Sequence, residues 1–134
     1  MPRAALIAAV LALLLSACGT ATTSQNSKFT GAQQDVVKVV DALAQAGSRG
    51  NAEKICNDIL AKQLVTELKS AGGDCIAEMD RAIKDASDYD LQVTSVKING
   101  NNATAQVRQG KDGQTATFTF VKEGGTWKAS ALGS

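Results

Sequence analysis

Histidine is missing from all 134 residues, and proline occurs once, at Pro2. Without histidine there is no Ser–His or Cys–His pair to activate a nucleophile, and no standard zinc set. Aromatic residues make up 4% of the chain, with a single Trp and a single Tyr, so an aromatic-rich catalytic cone has little to draw on. Neither charge dominates: 14 Lys and Arg face 13 Asp and Glu. With no basic surplus to neutralise phosphates, nucleic acid is not an expected partner. No glycine-rich loop has the spacing that cradles phosphate. The longest apolar run, residues 4–15, is too short to cross a bilayer as a helix: twelve residues rise about 18 Å against a hydrocarbon core of roughly 30 Å. These absences point away from hydrolases and metalloenzymes; no catalytic residue, metal or cofactor is expected.

What is present begins with that run. Met1-Pro2-Arg3 supplies a short basic start, and the apolar segment behind it has the length of a signal-peptide h-region. Leu15-Ser16-Ala17-Cys18 closes it and resembles the lipobox of bacterial lipoproteins. The resemblance implies that residues 1–17 are removed and that the Cys18 thiol carries a diacylglyceryl group. The protein would then be held to the extracytoplasmic face of a cell membrane. Two or three acyl chains, at about 0.8 kcal/mol per buried methylene, suffice for firm anchoring. The alternative is an ordinary secretory signal cut after Ala17, with Cys18 a spare thiol. Residues 18–28 read as the lipidated N-terminus and a tether. Their GTATTSQNS stretch has no apolar periodicity and cannot bury enough surface to offset its chain entropy.

Removal of residues 1–17 leaves 117, suited to one domain over 29–134. Arg3 is the only charged residue lost, so Lys plus Arg falls from 14 to 13, level with the 13 acidic residues. Besides Cys18, the chain has Cys56 and Cys75. An exported setting and an even count favour a disulfide between them. Closing a loop of about 20 residues contributes roughly 3 kcal/mol in the chain-entropy account. The alternatives are two buried free thiols or a redox pair, although the spacing is not CxxC.

Three helices are expected first. Thr30-Gly31-Ala32-Gln33 matches a capping box ahead of a stripe of Val36, Val40 and Leu43, which Val37 and Ala44 widen. Residues 47–50 (GSRG) end that helix. Asn51 can cap a second, with Ile55, Ile59, Leu60, Leu64 and Leu68 inward and a break near Ala61 left open. Asp74 can cap a third, with Ile76, Met79 and Ile83 inward. After Ser87 the period becomes two. Leu91 and Val93 alternate in one phase and Val96 and Ile98 in the other, which a bulge near Thr94 or Ser95 reconciles. Asn99-Gly100-Asn101-Asn102, Lys111-Asp112-Gly113 and Glu123-Gly124-Gly125 are turn signals separating four strands. Ala103, Ala105, Ala116, Phe118, Phe120, Trp127, Ala129 and Ala131 share the expected inner face. The fold class is therefore α+β, with three N-terminal helices packed on one face of a four-stranded antiparallel sheet.

This order of elements, the cysteine in each of helices two and three, and Trp127-Lys128 on the last strand resemble small bacterial lipoproteins of the nuclear transport factor 2-like superfamily. The resemblance covers residues 29–132 and implies that the four-stranded sheet is curved, with the three helices lying in its concave face. No catalytic position of its enzymes transfers; Asp88-Tyr89-Asp90 reads as a solvated turn. Trp127 reads as a core plug whose indole N–H finds a carbonyl, or else as a site marker. The expected function is a lipid-anchored, non-catalytic binding or interaction module of the cell envelope. Its speculative ligand surface lies at Phe118, Phe120 and Trp127, and its partner is an apolar small ligand or an envelope protein. The alternatives are a structural or accessory lipoprotein defined by a protein partner, and a small isomerase- or cyclase-like enzyme.

Overall fold

The computed structural model describes residues 28–86, 88–110 and 113–133. Cys18, the signal segment, nearly all of the tether, and Lys111-Asp112 of the second turn lie outside the described residues. The elements run α1 (Ala32–Ser48), α2 (Ala52–Lys54), a π turn (Ile55–Ile59), α3 (Lys62–Ser70), α4 (Cys75–Asp85), and then strands β1 (Leu91–Asn99), β2 (Asn102–Gln109), β3 (Thr115–Glu123) and β4 (Thr126–Leu132). The strands form one open antiparallel sheet in the order β1-β2-β3-β4. The α+β class is as expected, whereas the helical half is divided differently. Among the described residues no helix is long and apolar enough to cross a membrane.

α1 begins one residue later than the capping box requires. Gly31, at φ 57°, is the N-cap and offers no side chain. The Gln33 amide bonds the Thr30 carbonyl at 3.2 Å, and the Gln33 side chain reaches away to the Val96 carbonyl at 3.1 Å. The expected reciprocal box is therefore absent, because the left-handed glycine turns Thr30 off the helix. Val36, Val37 and Val40 form the buried stripe. α1 lies close to both edge strands, β1 and β4, and less close to the two middle ones, so the sheet curls around it.

The second expected helix is divided into α2, the π turn and α3. Asn51 caps α2 as foreseen, its side chain accepting from the Lys54 amide at 3.0 Å. The chain then widens to a π turn in which the Leu60 amide bonds the Ile55 carbonyl five residues back, at 2.9 Å. Leu60 and Ala61 leave the helix in extended conformation. There the Ala61 amide donates to the Ala129 carbonyl at 2.8 Å, forming a parallel bridge with β4. Glu123, at the end of β3, accepts from the Lys62 amide at 3.2 Å and so caps α3 from across the fold. Lys128 donates to the Asp58 carbonyl. Helical propensity through residues 55–64 yields to these contacts with the β3–β4 hairpin.

α4 is capped by Asp74, whose carboxylate accepts from the Ala77 amide at 3.0 Å. Its inner face departs from the expected one at a single position. Cys75 is bonded to Cys56 of the π turn across a Cα–Cα distance of 6.1 Å, which fixes the rotation of the helix. Met79 and Ile83 follow Cys75 at four-residue intervals and pack on the core. Ile76, one position off that line, is 44% exposed rather than inward.

In the sheet the β1 bulge falls at Thr94, between the Val93–Val107 and Ser95–Gln106 pairs, and lets Val93 and Val96 both face inward. A second bulge, at Ser130, lies between the Phe120–Ala129 and Thr119–Ala131 pairs. It turns Ala131 away from the expected inner face and brings Leu132 opposite Phe118 instead.

Candidate functional site

The most apolar of the principal clefts lies between α1, α4 and strands β3 and β4. It measures about 190 Å³. Leu43 and Gly47 come from α1, Ile55 from the π turn, and Met79 and Ile83 from α4. Phe118 of β3 and Leu132 of β4 supply the sheet wall, so the Ser130 bulge contributes directly by presenting leucine where alanine was expected. Asp88, Tyr89 and Gln109 give the rim its polar groups. The space is of the order of the roughly 150 Å³ apolar cavity that admits one benzene ring, and it lies below the roughly 300 Å³ of ordinary drug-sized pockets. It suits a single ring or a short branched chain.

Tyr89 is not the solvated residue its neighbours suggested. Its ring packs on the buried Gly47, where a Cβ would stand 3.2 Å from Cδ1, and its hydroxyl donates to the Ile83 carbonyl. That bond ties the chain leading into β1 back to α4 and closes one side of the cavity. Asp88 accepts from the Asp90 amide at 2.8 Å. Both side chains are engaged locally, the hydroxyl as a donor to α4 and the carboxylate as an acceptor in a turn. On the far side of Tyr89 a shallower cleft is bordered by Asp41, Asp88 and Asp90. Burial pushes the Asp41 carboxyl above its usual range. Among the described residues no three His, Cys, Asp or Glu side chains are grouped to hold a metal.

The three speculative ligand residues separate. Phe118 lines this cavity, while Phe120 is 2% exposed and lines none of the principal clefts, packing instead in the core. Trp127 sits opposite Lys122, four residues further along β3 than Phe118 and therefore about 13 Å away at 3.3 Å per residue. It too is 4% exposed, and its indole nitrogen has no hydrogen-bond partner among the described residues, where a carbonyl was expected. Sequence reasoning missed Leu43, Met79, Tyr89 and Leu132 as cavity residues. Gly47 carried a usable signal, since it falls on the inner side of a helix at a place where only a missing side chain admits a ring.

Fold and cavity together define a small disulfide-stapled α+β domain with room for an apolar group between its helices and sheet. The chain belongs to the family described as low molecular weight antigen MTB12, C-terminal domain, which it matches over residues 58–131 and which comprises small bacterial proteins. The matched stretch runs from the π turn to β4 and takes in Cys75, while α1 and Cys56 precede it. No curated protein and no solved structure matches the chain.

Proposed function

We propose that the protein is a lipid-anchored, non-catalytic binding module of the bacterial cell envelope, built on a nuclear transport factor 2-like domain and holding a small apolar ligand beside Phe118. The observation that carries the reading is the apolar cavity bounded by Leu43, Ile55, Met79, Ile83, Phe118 and Leu132, with polar groups only at its rim. The curl of the sheet about α1 supports the kinship with that superfamily. The lipobox-like Leu15–Cys18 stretch supports the anchor, and membership of a bacterial antigen family fits an exported protein. An accessory role defined by a protein partner calls for an exposed apolar patch. Among the described residues Ile76 is the one large hydrophobic side chain that is exposed, and one residue is not a patch.

The test is a thermal-shift and NMR screen of the full-length protein with single-ring and branched-chain apolar compounds. Saturation at 100 times Kd stabilises a folded protein by about 2.7 kcal/mol, a readily measured rise in Tm. Ala82 lines the cavity yet is exposed, so Ala82→Phe has room to block the mouth without entering the core. It is expected to abolish the ligand-induced shift while leaving the Tm of the free protein unchanged. If no such compound raises the Tm at millimolar concentration, the cavity is packing slack and the binding assignment fails.

A further inference from the structure

A second cleft, of about 470 Å³, opens where α1, the π turn and the β3–β4 turn meet. Its apolar wall is Val39, Ala42, Ile59 and Trp127. Its rim carries Asp35 and Lys38 from α1 and Lys54 and Asp58 from the π-turn region. These four side chains form two loose ion pairs, Lys38–Asp35 at 3.5 Å and Lys54–Asp58 at 3.4 Å, with side-chain exposures of 63% and 59% in the first and 48% and 62% in the second. Pairs as exposed as these hold together weakly and give way to better partners.

Trp127 supplies the other half of the case. Its indole N–H is buried with no acceptor among the described residues, although buried donors in folded proteins are almost always bonded. The Lys122 ammonium stands 5.5 Å from the ring centroid and helps to fix the ring's position, but a cation cannot accept the indole proton. A π turn, itself a departure from helical geometry often found at functional sites, brings Lys54, Asp58 and Ile59 to the same opening.

We propose that this cleft is a binding site for a short apolar peptide with free termini, a zwitterion of about dipeptide size. A ligand carboxylate replaces the acidic partner of Lys38 or Lys54, and a ligand ammonium replaces the basic partner of Asp35 or Asp58. The ligand's side chains lie on Val39, Ala42, Ile59 and the indole ring, and its amide carbonyl accepts the orphaned N–H. Because that nitrogen is closed to solvent, the exposed rim side chains swing aside as the ligand enters. A ligand of one charge alone meets a like charge from each pair, so the balanced rim selects a molecule bearing both. The site is separate from the apolar cavity at Phe118, and neither depends on the other.

The experiment titrates full-length protein with leucyl-leucine, read by Trp127 emission and by calorimetry. Saturable binding is expected, with N-acetylation or C-amidation of the peptide weakening it tenfold or more. Trp127→Phe keeps the ring and removes the donor; it is expected to weaken binding about tenfold by calorimetry with the NMR dispersion of the fold retained. Should that variant unfold, Lys54→Ala and Asp58→Ala, both at exposed positions, are each expected to weaken binding. Ala82→Phe should leave the titration unchanged, which separates this site from the first. Absence of binding at millimolar peptide overturns the proposal. Equal binding of blocked and free peptides, or undiminished binding by a folded Trp127→Phe, does the same.

Discussion

Single residues in this domain act mostly by what they lack. Gly47 has no side chain, and Tyr89 fills the space; Asp41 has no ion-pair partner among the described residues, and burial raises its pKa above the usual 3.8. An acid whose pKa is raised on folding binds its proton more tightly in the native state. Its charged form therefore costs stability at neutral pH, the cost is relieved as pH falls through the folded-state value, and below about 3.8 folded and unfolded chains are alike protonated at this position. Asp41→Asn is expected to raise the Tm at pH 7, with the advantage shrinking to nothing near pH 3; paired melting curves across that interval check it. A variant less stable than the parent at pH 7, by a margin that pH does not alter, would show that Asp41 makes a contact its charge supports. At this scale the sequence announced two of its three backbone-directed caps, the Thr30 box failing where Gly31 takes the N-cap. Asn51 and Asp74 cap the helices they were expected to cap, because an N-cap is a bond between residues three apart and needs no knowledge of the fold. It was silent on Tyr89 and the orphaned indole, whose neighbours come from distant segments, and at Gly47 it marked a gap without naming the ring that fills it.

At the scale of elements, local rules carry the strands and long-range bonds overrule the helices. The β1 bulge at Thr94 was legible because the two alternations on either side of it are out of phase. The Ser130 bulge was not, because Trp127, Ala129 and Ala131 keep an unbroken alternation and only pairing with β3 reveals the slip. The break at Leu60–Ala61 was marked near Ala61 but left open, because the apolar stripe runs through it unbroken; its cause is a backbone bond to Ala129, 68 positions away. The Cys56–Cys75 link also crosses elements, and here count and setting were sufficient to foresee it. It fixes which face of α4 turns inward, so its loss is expected to act locally as well as globally. Replacing both cysteines by serine should cost about 3 kcal/mol in denaturant unfolding, by the loop-entropy account. Hydrogen exchange should quicken in α4 and the π turn well before it quickens in β2 and β3. Uniform acceleration throughout would show that α4 is held by its packing on the core and not by the bond.

For the molecule as a whole, α+β class and strand order were written in the change of period after Ser87, while the placing of the cavity depended on how α1 and α4 sit over a curled sheet. The proposed anchor belongs to this scale, because it decides where the domain works. Cys18→Ala is expected to abolish incorporation of labelled fatty acid and to leave an unprocessed chain; normal labelling of that variant would remove the anchor from the account. If lipid does hold the domain to a surface, copies meet there repeatedly and at close range, and an open four-stranded sheet faces them with two edge strands. Lone strands of this kind are templates for another chain. In β4 the Ala129 carbonyl is already taken by the Ala61 amide, and in β1 the carbonyls of Thr94 and Val96 are taken by Lys28 and Gln33. A neighbouring copy therefore finds no continuous row of acceptors on either side, and the break in helix two that puts Ala61 against β4 is also what interrupts that margin.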